Sequence, residues 1–420
     1  MPIIKLNTIK ITKNRVDFFY TVSEEIKKFF SSDLNFFYEY PEQYDLSRVP
    51  KSILAIPFVM NMMPLVWISN TELLVNRLDY DFYDSLQYVL TGFKRVHPDV
   101  AFCGKLTVKQ LEKNEYEVDH EKKALLFSGG VDAVSTLVTH FDEKPMLINV
   151  WGADVHPNDM ENHKVIERDL IQFSEELKLP FFFIRSSIRW CFNEPYLSEY
   201  FKNMIHDTWW HGMQHSVGLL SLLAPYDYLE RISTNYIASS YTEKDIGIVR
   251  CISYPFVDSM LKMGTTHCFH DGFEKRRIEK IENIVTFSAK NRVIIPLKVC
   301  FHPSNGENCC KCEKCLRTMA EILAIGGELR QFGFFPDYSN VEMYIKRFCD
   351  KNILDENDVL AYWRDTSEFV KKNGSRNSKM NWLVNYQFNT FCPKWYTQLE
   401  TWIRIRLGKI RHKLFEMRKK

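Results

Sequence analysis

From residue 124 onward the chain alternates two rhythms. Short unbroken apolar runs at 124–127, 146–151, 181–184, 232–238 and 293–300 predict five strands. Between them apolar residues recur every three or four positions. Val131, Val134, Leu137 and Val138 form one such set, and Ile166, Leu170, Phe173 and Leu177 a second. A long segment at 198–223 and the set Ile278, Ile281, Ile284 and Val285 complete the series. That spacing puts one apolar stripe along each of several helices. Strands alternating with helices imply an α/β fold, a five-stranded parallel sheet with helices on both faces. A further helix at 316–325 stops at Gly326-Gly327, and the spacing beyond 340 is mainly helical. Before residue 112 the rhythm differs: 16–20 and 52–68 read as strands and 82–93 as a helix. The charged stretch 112–123 separates the two patterns. It divides the chain into an N-terminal α+β domain (1–120), a parallel-sheet domain (121–330) and a helical C-terminal region (331–420).

Composition adds exclusions. Hydrophobic residues make up 45% and charged residues 26%. This is the balance of a soluble globular chain and excludes disordered, collagenous and low-complexity classes. A net charge of +2 is too small for a global field that draws nucleic acid or membrane. The charge is concentrated, however: residues 401–420 hold eight basic residues and one acidic residue, against a mildly acidic remainder. In that tail Ile403, Leu407, Ile410, Leu414 and Met417 form one apolar stripe with a basic opposite face. The stripe predicts packing against the body or against a second subunit of a homodimer. Nucleic acid and an anionic membrane surface are the other partners such a helix serves. The start of the chain lacks the charged-then-apolar pattern of a secretory leader. The longest apolar stretch, 53–68, contains Pro57, Asn61 and Pro64 and falls short of the ~20 unbroken residues of a membrane span. It reads as buried strands and a turn, and the expectation is a cytoplasmic protein with no transmembrane segment.

The segment Ser128-Gly129-Gly130-Val131-Asp132 follows one expected strand and opens an expected helix. In a parallel sheet that point is the carboxyl end of a strand, where ligands bind. Two glycines let the backbone turn tightly and bring its N–H groups up to an anion, and the positive end of the helix meets the same spot. Ser128 adds a hydroxyl donor. A carboxylate at 132 is repelled by phosphates unless Mg²⁺ or an amide network intervenes, so it points to a metal–nucleotide. A plain turn between strand and helix carries the same residues. The segment resembles the Ser-Gly-Gly-x-Asp loop of the PP-loop ATP pyrophosphatases. That resemblance implies a sheet of PP-loop (HUP-like) type, with Ser128, Gly129, Gly130, Val131 and Asp132 on the pyrophosphate end of ATP. It places Ser128 and Asp132 at the chemistry: a substrate oxygen attacks the α-phosphate, pyrophosphate leaves and an adenylated substrate remains. Many members carry Ser after the Asp. This chain has Ala133, with Ser135 and Thr136 following.

Five of the eleven cysteines lie between 300 and 315. An odd count and one tight cluster argue for metal binding in a reducing compartment rather than a disulfide framework. Cys300-x8-Cys309-x2-Cys312-x2-Cys315 supplies two overlapping C-x-x-C steps and a fourth thiolate from the preceding apolar run. Four thiolates close a tetrahedral Zn²⁺ site, which is structural because no position remains for water. Cys310 completes no C-x-x-C step and is left out. Buried free thiols and an iron–sulfur cluster are the alternatives. The spacing, and its place after the last expected strand, resemble the 7-cyano-7-deazaguanine synthases of the queuosine pathway, over about half the chain. Those enzymes pair an ATP loop with a four-cysteine zinc knuckle and adenylate a deazaguanine carboxylate, which ammonia converts to an amide and then a nitrile. The long flanks on either side imply a divergent relative with another acceptor, of the kind that occurs beside bacterial antiviral-defence and surface-polysaccharide genes.

Three further clusters fall near strand ends. Asn149, Trp151, Gly152 and Asp154 follow the second strand, where adenine and ribose fit, or equally a loop cap with a core Trp. Ser239, Ser240 and Tyr241 follow the fourth and offer hydrogen bonds to an acyl substrate, or an ordinary turn. His270-Asp271-Gly272 precedes Lys275, Arg276, Arg277 and Lys280. Cations at a helix N-terminus oppose its dipole, which points to phosphates at Lys275 and Arg276 and to a substrate carboxylate at Arg277. A solvated face paired with Glu274 and Glu279 is the alternative. Trp209, Trp210, His211 and His215 read as core rather than site. The combined expectation is an ATP-dependent carboxylate–nitrogen ligase that uses Mg-ATP and a structural zinc. It would pass a small acyl group to ammonia or an amine, a protein amine included. One rival is a PP-loop tRNA thiolase with the basic tail as its RNA handle. It needs paired catalytic cysteines, whereas Cys103, Cys191 and Cys251 are scattered singly. The other is a non-catalytic nucleotide-binding module, which Ala133 favours.

Overall fold

The computed structural model describes residues 1–32, 35–300, 307–351 and 357–388. The basic tail, with its stripe from Ile403 to Met417, lies outside the described residues. The architecture is mixed α/β, with an N-terminal α+β region and a helical C-terminal region. Its strands are β1 (Ile3–Ile11), β2 (Arg15–Val22), β3 (Phe36–Glu39), β4 (Glu72–Asp79), β5 (Lys105–Glu112), β6 (Asp119–Leu126), β7 (Met146–Trp151), β8 (Phe181–Ser186), β9 (Ile232–Ala238), β10 (Lys262–Met263) and β11 (Thr266–Asp271). They form one eleven-stranded sheet in the order β10-β11-β9-β6-β7-β8-β3-β2-β1-β4-β5. β11, β9, β6, β7 and β8 run parallel to one another. The chain order reverses at β6, which places the topological switch point at its carboxyl end. β3 joins β8 antiparallel, Tyr38 opposite Ser186, so the N-terminal strands extend the same sheet.

β6 to β9 lie on the apolar runs that predicted them, but the fifth parallel strand is β11 and not 293–300. In β11 Cys268 and His270 are buried while His267 and Phe269 are exposed, a half-buried alternation that makes no unbroken apolar run. The 293–300 run forms no strand, and its backbone bonds go elsewhere. The Ile295 and Leu297 N–H groups donate to Gln331 and Phe332, and the Lys298 N–H donates to the Gly129 carbonyl at 2.8 Å. It is a strap across the glycine loop.

The 52–68 segment is also corrected, from strands and a turn to the helices Lys51–Leu54 and Ile56–Ile68. Every residue of Ile56–Ile68 is buried, so no polar face marks a helical period in the sequence. Pro57 sits in the first turn, where no N–H partner is lost. Pro64 lies inside the helix and forfeits one backbone bond. Asn61 donates to the Pro57 carbonyl at 2.8 Å and accepts from Gln214 at 2.9 Å, which satisfies the amide. Lys51–Ile68 is long and apolar enough to cross a membrane, and 94% of it is buried inside the protein. The long helix expected at 198–223 is instead Glu194–Ile205, a π-turn at Trp210–Gln214 and His215–Ser221. The first stops at His206, in the left-handed region at φ 53°.

Successive strand side chains point to opposite faces, and each face carries its own core. Ile148, Val150 and Ile237 pack with the Ile56–Ile68 and His215–Ser221 helices. Leu125, Leu147 and Tyr236 pack with the helices Val131–Thr139, Met160–Leu177, Arg277–Asn291 and Glu313–Ile325.

The Val131–Thr139 helix ends in an ionic latch. His140 Nε2 lies 3.0 Å from Asp271 Oδ1 and Nδ1 lies 2.7 Å from Glu143 Oε1. The Asp271 bond, helped by Glu143 and opposed by burial, raises the His140 pKa above its ordinary value. The imidazolium therefore contributes its full stability below about pH 6.5 and loses it as pH rises through the higher folded value. Urea unfolding free energy should fall by up to about 1 kcal/mol over that rise, a part-exposed pair being screened. In His140→Gln the profile should be flat there. A slope that survives the substitution would assign the effect to another group.

Candidate functional site

A cavity of about 740 Å³ opens at the carboxyl ends of β6, β7 and β9. Ser128, Gly130, Val131 and Asp132 form its floor. Gly129 has φ +75°, a conformation that favours glycine. Gly130 has φ −75° and precedes the Val131–Thr139 helix. Its N–H donates to Ser128 Oγ at 3.3 Å. The first N–H groups of that helix have no partners within it, so the floor presents donors and the positive end of a dipole.

Cations converge on this floor. Lys280 is almost wholly buried. Its Nζ lies 2.9 Å from Asp132 Oδ1 and also donates to the Ser239 carbonyl. Arg277 Nη1 lies 4.0 Å from Asp132 Oδ2. Its Nε lies 3.5 Å from Glu321 Oε2 and its Nη2 donates to Thr318 at 3.1 Å. Burial acts to raise the Asp132 carboxyl, but Lys280 and Arg277 outweigh it and hold the group below the usual carboxylate range. Lys298 Nζ lies 2.5 Å from Asp169 Oδ2. Burial and the Arg277 charge push the Lys314 ammonium below the ordinary lysine value. Arg277, Lys298 and Lys314 all line the cavity. Such a set suits a multiply charged anion.

β7 provides a side wall. Asn149 Nδ2 donates to the Phe127 carbonyl at 2.9 Å and ties the strand end to the loop. The Trp151 ring stacks on His163 at 3.8 Å with the planes 4° apart, and its Nε1 donates to His156 O at 3.0 Å. Burial and the nearby Arg185 charge push His163 down to about 4, so this stack is neutral at pH 7.

The sequence-derived candidates divide by position. Ser128, Gly130, Val131, Asp132, Asn149, Trp151, Ser240 and Arg277 line the cavity. Gly129 lies under the strap, against Lys298 and Leu170. Ser239 is fully buried, and its hydroxyl donates to Tyr241 O at 2.6 Å. Lys275 and Arg276 belong to another surface. Lys275 lies 3.5 Å from Glu274, while Arg276 meets Glu279 at 3.1 Å and Asp365 at 3.9 Å. Arg277, the next residue, lines the cavity in their place, and Lys280 lies buried against Asp132. Lys298, Lys314, Asp169, Trp210 and His215 also line the cavity and did not stand out as site residues. Lys298 and Lys314 carried one usable signal, their position immediately beside the cysteine cluster.

In that cluster the sulfurs of Cys300, Cys309, Cys312 and Cys315 lie within 4.8 Å of one another, a set able to coordinate a metal ion. The Cys300–Cys312 and Cys309–Cys315 sulfur pairs are each 3.9 Å apart. Lys311 and Cys312 N–H groups donate to Cys309 Sγ at 3.4 and 3.3 Å. Burial works to raise the Cys309 thiol, but these donors and the neighbouring sulfurs bring it down to about 7. Cys310 has a left-handed φ of 54° and donates to Asn308 O at 3.4 Å. Burial pushes its thiol up to about 11. Cys300, Asn308 and Lys314 line the cavity as well, so the cluster and the cavity share a wall. No protein-family model, curated protein or solved structure matches the chain.

Proposed function

We propose that the cavity binds the pyrophosphate end of Mg-ATP, as in PP-loop enzymes, and that the chain activates a carboxylate as its adenylate. The observation that carries this reading is the convergence of Arg277, Lys298 and Lys314 on a Ser-Gly-Gly floor, with Lys280 buried against Asp132, at the switch point of a parallel sheet. When bound, Mg-ATP supplies the α-phosphate that a carboxylate oxygen attacks and the pyrophosphate that leaves. The floor N–H groups and the Ser128 hydroxyl take the leaving oxygens, and Arg277, Lys298 and Lys314 neutralise them. Asp132 orients Lys280 and Arg277 rather than holding the ion. Asp132 and Asp169 are both paired with lysines, and Mg²⁺ arriving with the nucleotide would supply further positive charge to the phosphates. Ammonia or an amine then displaces AMP from the acyl group. The four cysteines hold Zn²⁺. A tetrahedron with Zn–S bonds of about 2.3 Å has edges of about 3.8 Å, close to the two 3.9 Å separations in a set that lies within 4.8 Å.

Product analysis after incubation with labelled ATP and a cell extract tests the reaction. AMP and pyrophosphate support it, ADP excludes it, and bound ATP without turnover favours a nucleotide-binding module. Tests at the floor separate binding from folding. Gly130→Ala keeps an allowed φ, but its Cβ meets Ser128 Oγ at 3.3 Å. It should lower turnover about tenfold or more while the melting curve stays in place. Gly129→Ala forces a left-handed φ and should cost about 1 kcal/mol of stability as well. Unchanged turnover in Gly130→Ala would reduce the loop to a turn.

A further inference from the structure

The two sheet faces meet in the cavity, and their contributions differ in kind. The face that carries Arg277, Lys298 and Lys314 supplies the charge. The other supplies Ile148, Val150, Trp210, Leu219 and Ile237, with one polar side chain among them, His215. A π-turn builds this second wall. The His215 N–H bonds to the Trp210 carbonyl, five residues back. In an α-helix side chains five apart diverge by about 140°. The π-turn brings them to one side, and the Trp210 and His215 rings lie 5.3 Å apart, edge to face at 85°. Leu219 follows one α-turn later. His215 is part-buried and lines the cavity; its Nδ1 is enclosed without a hydrogen-bond partner among the described residues, which leaves Nε2 as the ring nitrogen open to the cavity. A ligand N–H or O–H that bonds Nε2 gains a hydrogen bond in a low-dielectric pocket. Burial and the neighbouring His211 cation push the His215 imidazole down to about 4, so it presents no charge. At the rim Arg189 is held by Glu194 at 2.8 Å and lies 4.0 Å from Asp154, an exposed carboxylate that faces water.

We infer that this wall is a second subsite, one that receives the uncharged body of the acid to be activated, with His215 as its hydrogen-bond partner. The inference rests on the adenylation reading and names the substrate class for it. The acid carries its charge on the carboxylate alone and bears an N–H or O–H that reaches His215. A charged body would leave water to face Leu219 and Ile237 without a counterion.

Indole-3-carboxylate is a suitable probe, and glutamate is its charged control. Saturation-transfer NMR on the full zinc-loaded chain, with α,β-methylene-ATP present, should show binding of the first and not the second. His215→Phe keeps a ring and removes the hydrogen bond. It should weaken indole-3-carboxylate about tenfold, while calorimetric binding of α,β-methylene-ATP stays unchanged. Leu219→Trp fills the space and should abolish acid binding in a chain that still binds nucleotide. Nucleotide binding without acid binding overturns the subsite, as does equal binding of glutamate or indifference to both substitutions. His215-dependent acid binding in a chain that never binds nucleotide would keep the subsite and remove the ATP reading.

Discussion

Lys280→Met should release pyrophosphate about 10²-fold more slowly than the parent chain, the scale for one preorganised charge, and should also be less stable. The two effects have separate origins. Lys280 is a buried cation that joins the Arg277–Asn291 helix to Asp132 on the Val131–Thr139 helix and to the Ser239 carbonyl at the end of β9. Without it a developing pyrophosphate loses positive charge beneath the floor. Asp132 also keeps a carboxylate whose main counterion is gone, and Arg277 at 4.0 Å offsets that charge only in part. Stranding one member of such a pair costs about 2 kcal/mol at a partly buried site. The double variant Asp132→Asn/Lys280→Met removes the stranded charge. It should regain most of the stability and none of the turnover. Measuring both quantities on both variants separates the roles. If the double variant recovers turnover, Lys280 only balances Asp132 and does not serve the phosphates.

What could be read before folding was local. Ser128 to Asp132 and Cys300 to Cys315 are short segments, so their spacing alone announced a turn before a helix and a set of four neighbouring sulfurs. The cations of the cavity are different. Arg277, Lys298 and Lys314 come from separate segments, and only the strap bond from Lys298 N–H to Gly129 O and the C-terminal fold of the cluster bring them together. On the Arg277–Asn291 helix the charges were visible but the facing was not. Arg276 turns to Glu279 and Asp365, while the adjacent Arg277 turns to Asp132 and Glu321.

The misread elements have physical causes. Ile56–Ile68 is apolar on every side because it is enclosed, and enclosure erases the polar face that would have shown its period. Trp209 and Trp210 are core residues, as their type implied, but the π-turn also aligns Trp210 with His215 on the cavity wall, which an α-helical spacing does not show. The continuation of the sheet from β8 into β3 depends on a pairing across more than a hundred residues, which no local pattern announces.

Loss of the metal is the second large effect. Purified protein should hold about one Zn²⁺ per chain. Cys→Ser at Cys300, Cys309, Cys312 or Cys315 should release it and destabilise the fold by several kcal/mol, since binding energy at a structural site is folding energy. The cluster also links the strap that ends at Cys300 to the Glu313–Ile325 helix that begins beside Cys312. Lys298 rides on the first and Lys314 on the second, and both line the cavity. Metal loss should therefore weaken nucleotide binding in chains that remain folded, about tenfold or more where two cations lose their positions. Cys310→Ser is the control. Its sulfur bonds to Asn308 O and stands outside the four-sulfur set, so metal content, melting temperature and nucleotide affinity should all persist. Metal analysis, melting curves and calorimetry on the five variants decide the matter. Iron with visible absorbance, or metal loss on changing Cys310, would overturn the zinc assignment. Undiminished nucleotide binding in a folded, metal-free chain would show that the cluster does not position Lys298 and Lys314.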